Sequence, residues 1–279
     1  MSDSIWILLT ACLVAIVCAI PGSILMLRKQ SLMGDAISHA VLPGIFIAFM
    51  ASSSRTPLVL LPGAALSGWL TAQVSAWLIQ KKGIGSEAAL GLTFTTMFAI
   101  GVILISAFAR QTDLDVDCVL FGDIVWTPLE RVQWNSLDLG PVAFWSLSVG
   151  LILFMGFIWL GWRAWQLTTF DPAFAQSLGY SLYAWQSLLM GMVSIACVLS
   201  FRSVGSVLVI AFLSVPAATA SLYARTLRGQ ILHACLWACL SALLGWAIAL
   251  PLDLSISGAM ACASAIVFLA VWAARRIIS

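Results

Sequence analysis

Apolar stretches of about 17–24 residues recur from one end of this chain to the other, the length an α-helix needs to cross a hydrocarbon core of roughly 30 Å. Nine are expected, near 5–27, 32–51, 57–80, 88–108, 141–163, 183–200, 205–224, 230–250 and 258–274. Asp35, His39 and Pro43 interrupt the second, and only a few residues around Arg202 separate the sixth from the seventh, so eight and ten spans are also compatible. Composition agrees: 62% of the 279 residues are apolar and 9% charged, too few charges to cover a water-soluble domain. The expected fold is all-α, a polytopic transmembrane bundle forming one domain over 1–279. A net charge of +2, with no Lys/Arg run longer than two, gives nucleic acid no footprint; the expected surroundings are lipid.

Lysine and arginine set the direction, because cytoplasmic loops retain them. With the N-terminus outside, the inner loops and tail hold Arg28, Lys29, Lys81, Lys82, Arg163, Arg225, Arg228, Arg275 and Arg276. Arg55, Arg110, Arg131 and Arg202 fall outside, so the C-terminus is expected in the cytoplasm. The first span lacks a basic leader and a small-residue cleavage site and is expected to be retained, with no appended soluble domain. Of the seven cysteines, only Cys118 lies in a polar loop; the others read as small apolar packing residues rather than a disulfide framework.

Ionisable groups at membrane depth are costly and usually functional. Asp35 and His39 are four residues apart, one helical turn, on one face. Between Arg28 and Lys29 on one side and Ser52 to Arg55 on the other, His39 falls near the midplane and Asp35 about 6 Å inward. Pro43 lacks the N–H that would bond the carbonyl of His39, which adds a third potential donor. Imidazole with carboxylate suits zinc, manganese or ferrous iron. Three readings fit the pair: a cation site, an Asp–His hydrogen bond locking helices, and a proton relay. Ala36, Ala40 and Gly44 form a small-residue row beside it, suited to close helix packing.

The segment Leu27–Gly44 (LRKQSLMGDAISHAVLPG) resembles the first signature of the integral membrane permeases of bacterial ATP-binding-cassette importers for zinc, manganese or iron. Leu120–Asp123 (LFGD), Phe170–Gly179 (FDPAFAQSLG), Val204–Ala220 (VGSVLVIAFLSVPAATA) and Ser257–Ala259 (SGA) match further motifs in the same order, so the resemblance covers nearly the whole chain. It implies a multi-pass protein of the bacterial inner membrane, with Asp35 and His39 at the intramembrane metal position. The implied cargo is a divalent transition metal, with no permanently bound cofactor. The implied partners are ATP-binding cassette subunits, an extracytoplasmic metal-binding protein, and a second permease copy, identical or paralogous. The chain has no Gly-x-x-x-x-Gly-Lys-Ser/Thr phosphate loop, so it is expected to be no enzyme, with ATP hydrolysed by another polypeptide.

Asp171 followed by Pro172 reads as the cap and first residue of a short helix in an inner loop, and Gly179 as its stop. By resemblance, 171–179, including Asp171, Pro172, Ala175 and Gly179, is the cytoplasmic coupling helix seated on the ATPase subunit. Pro216 releases the carbonyl of Phe212, and the small run to Ala220 suits either a dimer or pathway face or a kinked packing helix. The 109–140 segment carries Asp113, Asp115, Asp117, Asp123, Glu130 and Asp138, a docking surface, a cation concentrator or a solvated face. It is not a calcium loop, since Cys118 and Ile124 stand where glycine and glutamate are needed. His233, Cys235 and Cys239 cannot converge from one helix. The rival function is a proton-coupled secondary carrier using Asp35 and His39. An intramembrane hydrolase lacks a nucleophile motif.

Overall fold

The computed structural model describes residues 3–52, 57–82, 84–108, 124–134 and 137–278. Arg55, Arg110, Asp113, Asp115, Asp117, Cys118 and the Leu120–Asp123 motif lie outside the described residues. The chain is helical almost throughout. Its centre is α1 (Asp3–Leu27), buried on nearly all faces from Thr10 to Leu25. An all-round apolar sequence suits that position, because no face has to meet water.

The second expected span is two helices, α2 (Met33–Ala40) and α3 (Leu42–Ser52), broken at Val41. Then follow α4 (Pro57–Lys82), α5 (Ser86–Phe108) and, after a 3-10 turn (Ile124–Leu129) and a hairpin, α6 (Val142–Leu160). Two short helices, α7 (Trp162–Phe170) and α8 (Pro172–Ser177), lead to α9 (Leu182–Val204). The chain closes with α10 (Ser206–Ser221), α11 (Leu227–Leu252) and α12 (Ile256–Ile278). Among the described residues eight segments are long and apolar enough to cross a membrane, α2 and α3 counted together. The remaining expected span, α10, has 16 residues and so measures about 24 Å.

α4 shows how a membrane helix is patterned. Ala64, Ser67, Thr71, Ala72 and Ser75 are buried, whereas Leu66, Leu70, Val74 and Trp77 on the other face are exposed. Small residues turn inward so that backbones approach, and large apolar ones turn to the surroundings. The closest crossings follow the same logic. A Cβ on Gly44 would lie 2.2 Å from the Gly63 carbonyl oxygen, and one on Gly22 2.0 Å from that of Leu213. Thus α3 lies backbone-to-backbone on α4, and α1 on α10. Pro216 and Ala217 are buried in α10, which packs between α1, α11 and α12 within the chain's own core.

One element was not expected from the sequence. Within the acidic segment, β1 (Arg131–Trp134) and β2 (Leu137–Pro141) pair antiparallel. A lone hairpin is marginal in water, and tertiary contacts hold this one. Arg131 pairs with Asp3, Glu130 pairs with Arg202, and Trp6 packs under Gly140, whose φ is +91°. Asp3, Glu130, Arg131 and Arg202 therefore meet at one end of the bundle. Arg28, Thr168 and Gln186 meet at the other.

Candidate metal centre

The break at Val41 shapes the site. Pro43 sits at the start of α3, and Val41 accepts from the N–H of Ile45 at 3.1 Å. Pro43 and Leu42 abut Gly101 of α5, where a Cβ would lie 2.9–3.0 Å from them. The sequence points to the carbonyl of His39 as the free one. The donor found in the structure goes one residue further, where Ser67 Oγ of α4 donates to the Ala40 carbonyl at 2.6 Å.

On α2, His39 Nε2 lies 3.5 Å from Asp35 Oδ1. Their backs are fixed: Ala36, Ile37 and Ala40 are buried, Gly34 takes the side chain of Leu213, and Ser38 Oγ donates to the Gly34 carbonyl at 2.7 Å. Their fronts are open. The side chains of His39 and Asp35 are 39% and 45% exposed, so the pair faces out of the single chain. Two phenylalanines of α5 frame the imidazole, Phe94 with ring centroids 6.1 Å away and Phe98, edge-on, at 5.9 Å. Neither was singled out from the sequence, although their spacing of four places them on one helical face.

Two donors do not complete a transition-metal shell, which takes about four. Among the described residues no group of three His, Cys, Asp or Glu side chains could hold a metal ion. His233 turns Nδ1 to the carbonyl of Gly229 at 2.7 Å, away from any shared site with Cys235 and Cys239. The described cysteines are free.

The 171–179 segment forms a capped helix. Asp171 Oδ1 accepts from the N–H of Phe174 at 3.0 Å, Pro172 is the first helical residue, and Gly179 ends the turn at φ +86°. Ala175 is buried, whereas Phe170, Phe174 and Leu178 are each more than half exposed. Phe174 and Leu178 are four apart and share one side of α8 and its cap, while Phe170 ends α7 on the far side of the break at Asp171.

The fold is that of a polytopic helical membrane protein, with an open Asp35–His39 pair on α2 and a short capped helix at one end. The model of the ABC 3 transport family matches residues 4–275, and the chain belongs to that family. It is 41% identical over 261 residues to the manganese transport system membrane protein MntD of Bacillus subtilis (strain 168), covering 94% of this chain and 88% of that one. It is 40% identical over 269 residues to the zinc transport system membrane protein TroD of Treponema pallidum (strain Nichols), covering 95% and 72%. Its structure resembles a chain in the solved structure of PsaBC from Streptococcus pneumoniae in complex with Fab, with a TM-score of 0.79 at 28% identity, covering 98% of this chain and 91% of that one. The protein is a multi-pass component of the bacterial inner membrane.

Proposed function

We propose that Asp35 and His39 are the ligands with which this metal-ion permease of the ATP-binding-cassette class holds manganese or zinc during import. The observation that carries this is the open face of the pair. A carboxylate and an imidazole left against lipid would be costly, so that face needs a polar cover. A second permease copy bringing its own Asp–His pair supplies one, and raises the donor set from two to four, two carboxylates and two imidazoles. Such donors suit both ions named for the relatives. An extracytoplasmic metal-binding protein delivers the ion, and alternating exposure of the site to the two sides moves it inward.

Energy comes from ATP hydrolysed by separate cassette subunits, since the chain carries no phosphate loop. The exposed side chains of Phe174 and Leu178 on this capped helix support 171–179 as the place where such a subunit docks. Removing the cap by Asp171→Ala costs the helix about 1 kcal/mol. Gly179→Ala forces a Cβ into the left-handed region at a similar cost of about 1–2 kcal/mol. Both variants are expected to lose metal-stimulated ATP hydrolysis in the reconstituted complex while binding metal normally. Stimulation at the wild-type level would count against the assignment.

The decisive experiment on the function is uptake of radiolabelled manganese and zinc by vesicles holding the complete assembly, with and without ATP. Uptake is expected only with ATP and should survive an uncoupler. ATP-independent uptake abolished by the uncoupler would instead establish proton coupling through Asp35 and His39.

A further inference from the structure

At the end of α1, Arg28 is largely buried and, among the described residues, has no carboxylate partner. Burial pushes its guanidinium down to about 10, so it remains charged at neutral pH. Its donors go instead to three neutral acceptors on two elements. Nη2 donates to Thr168 Oγ1 at 2.8 Å, Nε and Nη2 share Thr169 Oγ1 at 3.3 Å, and Nη1 donates to Gln186 Oε1 at 2.7 Å. The ring of Trp165 lies 5.8 Å from the guanidinium carbon.

Each branch leads somewhere specific. Thr168 and Thr169 belong to the last turn of α7, whose Leu167 carbonyl accepts from the N–H of Asp171, the cap of α8. Trp165 is fully buried, edge-on to Trp185 of α9 at 4.8 Å, which packs α7 firmly against α9. On the other branch, Gln186 Nε2 donates to Gln30 Oε1 at 2.7 Å. The carbonyl of Gln30 accepts from the N–H of Met33, the first residue of α2, two positions before Asp35. Hydrogen bonds linked through short stretches of covalent chain thus join the 171–179 segment to the helix that carries Asp35 and His39, and Arg28 is the one member touching both branches. Beside it lies a cavity of about 460 Å³, bordered by Arg28, Gln73, Thr169, Pro172, Tyr183 and Gln186, which leaves the link room to move.

We propose that Arg28 is the positioning residue through which displacement of the 171–179 segment reaches α2 and the Asp35–His39 pair. The proposal rests on 171–179 being the ATPase contact. Arginine suits the task because its planar fork offers five N–H donors at once, enough to hold Thr168, Thr169 and Gln186 together. Lysine has the charge but donates from a single point.

The test measures ATP hydrolysed per metal ion imported by the full complex in vesicles, with metal-loaded binding protein outside. Arg28→Met is expected to assemble with the ATPase subunits, keep basal hydrolysis and metal binding, and raise that ratio about tenfold. Arg28→Lys should not rescue it. Gln186→Met should raise the ratio alone, and adding it to Arg28→Met should change nothing more, since both cut one link. A merely structural arginine would lower uptake and hydrolysis in proportion. A proportional loss, an unchanged ratio, or full rescue by lysine overturns the proposal. Should Arg28→Met fail to insert, Gln186→Met decides alone, and an unchanged ratio there overturns it too. Failure of the underlying assignment looks different: Asp171→Ala and Gly179→Ala would then retain full metal-stimulated hydrolysis.

Discussion

Asp35→Asn and His39→Ala are each expected to lower metal uptake by at least about 100-fold, since even residues that only orient a metal ligand are worth about 10–100-fold in affinity. Membrane insertion should be normal, because neither change shortens the helix and both make it less polar. The asparagine variant is the sharper of the two. It keeps the size of Asp35 and an oxygen that can still meet His39 Nε2, now 3.5 Å away, but removes the negative charge. If the pair served only as a contact within α2, Asn would preserve it and transport would continue. If it holds a divalent cation, a neutral amide is a poor replacement for a carboxylate. Wild-type uptake by Asp35→Asn in ATP-loaded vesicles would therefore end the ligand assignment.

Gly44→Ala is expected to damage the protein more than any other single methyl beside the site. The new Cβ would lie 2.2 Å from the Gly63 carbonyl oxygen and 2.5 Å from Ser67 Cβ. The first obstacle is backbone and cannot rotate away, so α3 would have to lift off α4. Overpacking of this kind costs about 1–3 kcal/mol. Moving Ser67 would also loosen its 2.6 Å hydrogen bond to the Ala40 carbonyl, next to His39. We expect a clearly lower melting temperature in detergent and little uptake. Gly91→Ala is the control: a Cβ there meets nothing within 4 Å, and removing a glycine from the interior of α5 should leave melting unchanged or raise it. Equal melting of the Gly44 variant and the wild type would rule out the close crossing.

Much of this architecture is legible along the chain because lipid imposes a local rule. Every backbone polar group must be paired within the segment, so a long apolar run can only be a helix. That is why the expected segments coincide with helices, α10 being shorter than expected. Asp35 and His39 stood out for the same reason, as charge in an apolar context, and Asp171-Pro172 with Gly179 is a local capping pattern that folds as such. Contacts that depend on two remote segments had no such signal. Nothing in Arg28 announces Thr168 or Gln186, separated from it by 140 and 158 positions. Nor does an acidic segment announce a hairpin pinned by Asp3 and Arg202.

Hydropathy, charge placement and proline spacing thus already specified a many-span helical membrane protein with a carboxylate and an imidazole one turn apart in its second apolar stretch, because each reports on a residue and its near neighbours in a solvent that punishes exposed polarity. Packing alone chose which way that pair looks, which phenylalanines frame it, and which arginine ties its helix to the far loop. Those outcomes follow from small residues letting particular backbones touch, and such complementarity exists only once both surfaces are formed.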